Sequence, residues 1–291
     1  MEIPKSWELH PESIEVAISD KGNENDFYFD IKAPSESTVG QIIPVLQTQT
    51  KKLQASLQEI TYDHFPKQYL VSPAKSKVVA LSLKTGVEKV AYIEGAGDNI
   101  PQSLTALGVE VEMLKSKNIT LEKLKPFDAV ILGIRAFNVE EALAYKNKIL
   151  WEYVRSGGNL LIQYNTNRRL KTKELAPLKL NISRDRVSNE SAKVQIINPK
   201  HPILNHPNKI TAKDFEGWVQ ERGLYSPNQW DAQFTPLLQM NDAGESPKTG
   251  SLLVAPYGKG RVVYTGLSFF RQLPAGVPGA YRLFFNLIAK P

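Results

Sequence analysis

Gly157-Gly158-Asn159-Leu160-Leu161-Ile162-Gln163-Tyr164-Asn165 is the stretch whose reading decides the fold. A glycine pair closing a helix, a short apolar strand and a polar residue at its end form the framework of a nucleophile-bearing α/β sheet. The nucleophile itself is missing. The chain holds no cysteine, and Tyr164 stands at the elbow. Ligand binding or a structural role therefore fits the stretch better than acyl transfer. Zero cysteines also exclude disulfides and thiolate metal sites.

Upstream of this stretch, from Lys89, short apolar runs at 90–93, 109–114 and 129–134 alternate with helical patterns. Asn99 is placed to cap a helix with Pro101 at its second position, Leu104 and Leu107 on its apolar face and Gly108 past its end. Asn138 is placed to cap a longer helix in which Val139, Leu143, Leu150 and Val154 share a face. Glu140 and Glu141 at its start and Arg155 at its end suit the helix dipole. Strands separated by such helices imply a doubly wound, flavodoxin-like parallel sheet over residues 89–291.

The first 70 residues read differently. Ile14, Val16 and Ile18, and again Phe27, Phe29 and Ile31, recur with the period of half-buried strands. An immunoglobulin-like sandwich takes about 100 residues, so 1–70 predicts a partial β-sandwich; either another part of the molecule completes it or the chain is a fragment of something longer. Residues 71–88 read as a connector around one strand at 78–83.

Charge follows the same division. Residues 1–88 carry nine lysines against twelve acids, a net −3; residues 89–291 carry 27 basic against 18 acidic residues, a net +9, and include all ten arginines. Arg168, Arg169, Lys171, Lys173, Lys179, Arg184 and Arg186 form the densest basic run. Without interleaved aromatic residues it reads as a solvated loop rather than a nucleic-acid strip. With 291 residues, 42% of them apolar, the chain suits about two soluble domains. No apolar run approaches the roughly 18 residues of a membrane span.

In a doubly wound sheet, ligands bind beyond the carboxyl ends of the strands where strand order reverses. That rule nominates Asp98 and Asn99 in the Gly95-Ala96-Gly97 turn, Arg135 and Asn138 after the most apolar strand, and Tyr164 and Asn165 at the elbow. The first turn is either a bland tight turn or an anion cradle, and Arg135 either a carboxylate fork or a salt-bridge partner. Trp218 and Glu221, in a run of aromatic and acidic residues, suit a sugar platform, with Trp218 equally suited to a core. His201 completes the candidate set. A polar sugar or a sugar acid is the expected ligand, with no catalytic residue, metal ligand or cofactor assigned. His10, His64, His201 and His206 are too widely spread for a zinc triad. A rival reading makes the chain a hydrolase with Glu221 or Asp98 as base, His201 as its partner and Arg135 stabilising negative charge, and a third makes it a purely structural inter-domain interface module.

Several longer strings carry a resemblance. Tyr92-Ile93-Glu94-Gly95-Ala96-Gly97-Asp98-Asn99-Ile100-Pro101, Gly133-Ile134-Arg135-Ala136-Phe137-Asn138, Gln163-Tyr164-Asn165-Thr166-Asn167, Ser183-Arg184-Asp185-Arg186-Val187 and Gly217-Trp218-Val219-Gln220-Glu221-Arg222-Gly223-Leu224-Tyr225 are similar to the C-terminal region of large bacterial PIG-L (LmbE-like) family deacetylases. His201-Pro202 and Gly260-Arg261-Val262-Val263-Tyr264 fit the ThuA-like branch of the class I amidotransferase-like fold. The resemblance covers nearly the whole chain and implies an accessory region. Its partner is then an upstream zinc-dependent deacetylase domain of the same protein, which acts on N-acetylglucosamine-type sugars and is exported or periplasmic. The string His10-Pro11-Glu12-Ser13 lacks the paired aspartates of that family's zinc motif.

Overall fold

The computed structural model describes residues 1–17 and 22–290 and divides the chain into two units, 1–82 and 83–291. The first unit contains strands and no helix among its described residues. Its four antiparallel ladders pair Glu8–His10 with Asp30–Lys32, Thr38–Ile42 with Ser76–Ala80, Leu46–Gln47 with Lys52–Leu53, and Ala55–Tyr62 with Phe65–Pro73. Among the described residues each ladder is a separate two-stranded sheet, and no sandwich of two packed sheets is formed by them. Ala80 alone is buried among the described residues of this unit. The alternation around Ile14, Val16, Phe27 and Phe29 accordingly yields no strand, because a strand of that kind needs a core to receive its apolar face. Ile31 does lie in a strand, and Ile18 lies outside the described residues. Much of the expected connector is strand within this unit, ending at Pro73 and at Ala80.

The second unit is a mixed α/β fold around a seven-stranded, mostly parallel sheet. Its main elements, in chain order, are β1 (Lys89–Ile93), α1 (Ile100–Thr105), β2 (Glu110–Leu114), β3 (Ala129–Leu132), α2 (Ala136–Val139), α3 (Leu143–Arg155), β4 (Asn159–Ile162), β5 (Leu180–Val187), β6 (Gly223–Trp230), β7 (Thr235–Pro236), β8 (Leu252–Tyr257), β9 (Gly260–Thr265), α4 (Phe269–Gln272) and α5 (Pro278–Ile288), alongside a one-turn helix at Leu121–Leu124 and the short strand pair Gln195–Ile196 with Leu238–Gln239. The sheet order is β2-β1-β3-β4-β9-β8-β7. The first five strands run parallel, and β8 and β7 add an antiparallel edge. β5 and β6 form a separate antiparallel pair.

The central strands are mostly apolar because both faces are covered. Ala91, Ile93, Val130, Leu132, Leu160, Ile162, Val262 and Tyr264 share one core with Leu143, Leu150, Trp151 and Val154 of α3. Alternate residues, such as Val90, Ile131, Leu161 and Val263, are equally buried and turn to the opposite face, where α5 packs.

The glycine pair before β4 has two distinct causes. Gly157 takes φ +117°, which only glycine adopts readily, and Gly158 lies under the Tyr153 ring, where a Cβ would come within 2.3 Å of a ring carbon. The long helix, by contrast, begins at Leu143 and not after Asn138, which sits inside the preceding short helix α2. Asn99 makes no side-chain cap either. Asp98 does that work, its Oδ1 accepting the Ile100 N–H at 3.0 Å.

Candidate functional site

Three neighbouring parallel strands, β3, β4 and β9, deliver their carboxyl ends to one edge of the sheet. No helix follows β4; residues 163–179 are irregular, so the strand-to-helix elbow of a nucleophile site is incomplete. This segment is instead stitched to α2. The Arg135 N–H donates to Tyr164 O at 2.6 Å and the Phe137 N–H to Asn165 Oδ1 at 3.0 Å, while the Lys171 N–H donates to Phe137 O at 2.8 Å. Asn138, buried, donates through Nδ2 to Thr166 O and Arg168 O and accepts the Thr166 N–H at Oδ1. Asn165 and Asn138 are therefore internal braces, not surface ligand groups.

The braces hold open a pocket of about 770 Å³ lined by Arg135, Asn138, Val139, Tyr164, Thr166, Arg168, Arg169, Lys171 and Tyr225. Four of the lining residues are cationic and none is a carboxylate. Lys171 is already paired with Glu141 at 3.1 Å. Among the described residues, Arg135, Arg168 and Arg169 make no ion pair, so three guanidiniums remain unneutralised. The described residues include four non-glycine positions with positive φ, namely Arg135, Arg169, Gln220 and Tyr225, and three of these line the pocket. Such backbone costs about 1 to 3 kcal/mol per residue and concentrates at functional sites.

One wall is aromatic. The Tyr164 ring stacks on Phe270 at 5.6 Å and 22°, and its centroid lies 5.8 Å from that of Tyr225. Arg271 lies over Phe270 at 4.9 Å and pairs with Glu221 at 2.6 Å. Burial, then the neighbouring Tyr225, raise the Tyr164 pKa, and Arg135 opposes them. At neutral pH the phenol is thus a neutral O–H donor facing a cationic pocket.

The remaining residues singled out from sequence lie elsewhere. Asp98 accepts from Tyr92 Oη at 2.7 Å and from Ile134 N at 3.2 Å, closing the crevice between β1 and β3 where strand order reverses. Gln163 completes this plug by donating to Tyr92 Oη at 3.2 Å. Asn99 is exposed beside it, outside the pocket lining. Trp218 is 4% exposed, packed between Phe215 and Phe269, with Nε1 donating to Asp214 O at 3.0 Å. It is a core residue. His201 caps a short turn through Ile203 N, and its pKa is lowered by burial and then by Arg261. Arg261 pairs with Asn159 at the amino end of β4, five residues before Tyr164, which is about 16 Å along the strand. Glu221 pairs with Arg271 and lies outside the pocket lining, near enough for its charge to help raise the Tyr164 pKa.

Of the nine residues, Arg135, Asn138 and Tyr164 line the pocket, and Asn165 supports it. Arg168, Arg169, Lys171 and Tyr225 join them. The density of basic residues immediately after the elbow was the signal for the first three.

No family model matches the chain, and no curated protein matches it. Several solved structures are similar to it at low identity. A cytoplasmic protein of Salmonella typhimurium LT2 is 14% identical at TM-score 0.49, covering 70% of this chain and 100% of its own. A protein described as a GMP synthase component from Thermoplasma acidophilum is 13% identical at 0.46, over 69% of this chain and 92% of its own. PurLQS from Thermotoga maritima is 12% identical at 0.44, over 69% and 97%. At these scores the likeness decides nothing about the chemistry of this pocket.

Proposed function

We propose that residues 83–291 form a flavodoxin-like, class I amidotransferase-like domain whose catalytic position is degenerate, and that it binds an anionic, sugar-like ligand without transforming it. The strand order β2-β1-β3-β4-β9 supports the fold assignment, being the doubly wound order 2-1-3-4-5. One observation carries the functional reading: three unpaired guanidiniums and an ammonium surround Tyr164 and Tyr225, with no carboxylate in the lining. Guanidinium forks suit carboxylate, sulfate or phosphate oxygens, and aromatic faces suit a ring. Hydrolysis has less support, since Glu221 is tied to Arg271 and His201 sits at the opposite end of the strands.

In this proposal the domain is an accessory region of a PIG-L/LmbE-like carbohydrate N-deacetylase, a link that rests on the motifs alone. Residues 1–82 then meet the deacetylase domain, which would cover Leu57, Tyr62, Phe65, Tyr69, Leu70 and Val71, all more than half exposed here. NMR titration with glucuronate and with glucose tests the binding reading. Glucuronate is expected to shift resonances of Arg135, Tyr164, Arg168 and Tyr225 while glucose leaves them in place. Equal shifts from both, or from neither, would overturn it.

A further inference from the structure

Resting on that reading of the pocket, we propose that its ligand is a saccharide bearing at least two separate anionic groups, and that a singly charged sugar acid occupies only part of the site. A single carboxylate presents two oxygens and is satisfied by one bidentate fork. The pocket offers three unpaired forks on two segments: Arg135 follows β3, whereas Arg168 and Arg169 lie on the loop after β4. A lone carboxylate held by Arg135 leaves both loop arginines facing each other's charge without a counter-ion.

The loop is not free to relax that charge by moving away. Asn138 grips Thr166 and Arg168 through their main-chain atoms, Thr166 Oγ1 donates to Arg168 O at 3.1 Å, and Lys171 N is bound to Phe137 O. Arg169 takes a left-handed backbone at φ +55°. The main chain that carries the cations is thus held in place, and a ligand with spaced anions has only the exposed arginine side chains to order. The ring that carries those anions has Tyr164 and Tyr225 beside it, with Phe270 holding Tyr164 from behind. A volume of about 770 Å³ also exceeds the need of one small sugar acid, lying in the upper part of the usual range for ligand pockets.

Two sources offer this chemistry: a sugar phosphorylated at two positions, and an acidic glycan unit carrying a carboxylate and a sulfate. Calorimetry on the full chain at low salt, with glucuronate, glucose 1,6-bisphosphate and a sulfated uronate disaccharide, separates them. At least one doubly charged probe is expected to bind about tenfold or more tightly than glucuronate, with the steeper loss of affinity as salt is added. Arg169→Asn, which retains the left-handed backbone, and Arg168→Gln should each cost the doubly charged probe several-fold more affinity than they cost glucuronate, and so remove most of that advantage. The better of the two probes identifies the source. If glucuronate binds as tightly as both, the inference is wrong and the anion site stands. If no probe binds the folded protein, both fall.

Discussion

The Asn138 carboxamide holds Thr166 by both of its ends: Nδ2 donates to Thr166 O at 3.0 Å, and Oδ1 accepts from Thr166 N at 2.9 Å. A third bond, to Arg168 O at 2.8 Å, extends the grip to the first arginine of the pocket. A buried amide that pairs three main-chain atoms sets the course of the loop, and with it the position of the charges.

Asn138→Ala should therefore cost about 1 to 3 kcal/mol of stability, because main-chain groups that lose a partner in a buried place pay their desolvation. Urea denaturation measures this. Anion affinity should fall in the same variant although its pocket charge is unchanged, and an Asn138→Ala protein with native affinity would show that the loop is positioned by other means.

Gly95 carries the second constraint. A Cβ there would lie 2.1 Å from Ile134 O and 2.7 Å from Ala136 N, both main-chain atoms. Gly95→Ala should force the loops after β1 and β3 apart and destabilise the unit by about 1 to 3 kcal/mol. Thermal unfolding checks it, and a neutral outcome would mean the two loops separate easily.

The sheet was largely legible in the sequence, because runs such as Ala129-Val130-Ile131-Leu132 are apolar on both faces and the Gly157-Gly158 pair punctuates the step into β4. The cap at Asn138 was not, since an asparagine before a helical pattern looks alike whether its amide bonds the helix or a loop 28 residues on. Trp218 was ambiguous for a related reason: an indole suits a platform or a core, and only Phe215 and Phe269 around it decide. The run Arg168-Arg169-Lys171 read as solvated surface because periodicity says nothing of a concavity built by Tyr164 and Tyr225 from distant segments. The alternation at Ile14, Val16, Phe27 and Phe29 gives no strand because, among the described residues, 1–82 has almost no core to receive it, while Ile31 does lie in one.

Trp218→Ala should behave as a core truncation, losing about 3 to 5 kcal/mol. Trp218→Phe should retain the fold and the anion affinity. Calorimetry on the phenylalanine variant separates the roles, as a platform residue would lose affinity without unfolding.

His201 supplies a pH test. Burial, then Arg261, lower its pKa in the folded protein below the ordinary 6.5, so the unfolded chain binds the proton more readily. Stability then rises with pH where the unfolded state holds more protons, and is lost as pH falls below about 6.5 towards the folded value. The difference in urea midpoint between the native protein and His201→Gln should accordingly shift against the native protein between pH 7.5 and 5.5. A constant difference across that range would contradict the placement of His201 beside Arg261.

The most direct measurement is calorimetric titration of glucuronate into the native protein and into Arg135→Ala, with folding of both verified by circular dichroism. Losing one charge-assisted fork should weaken binding by about 1 to 3 kcal/mol, with most of the remaining affinity lost in high salt. Unchanged affinity in Arg135→Ala, or binding indifferent to salt, would show that the cationic pocket beside Tyr164 is not where the ligand sits.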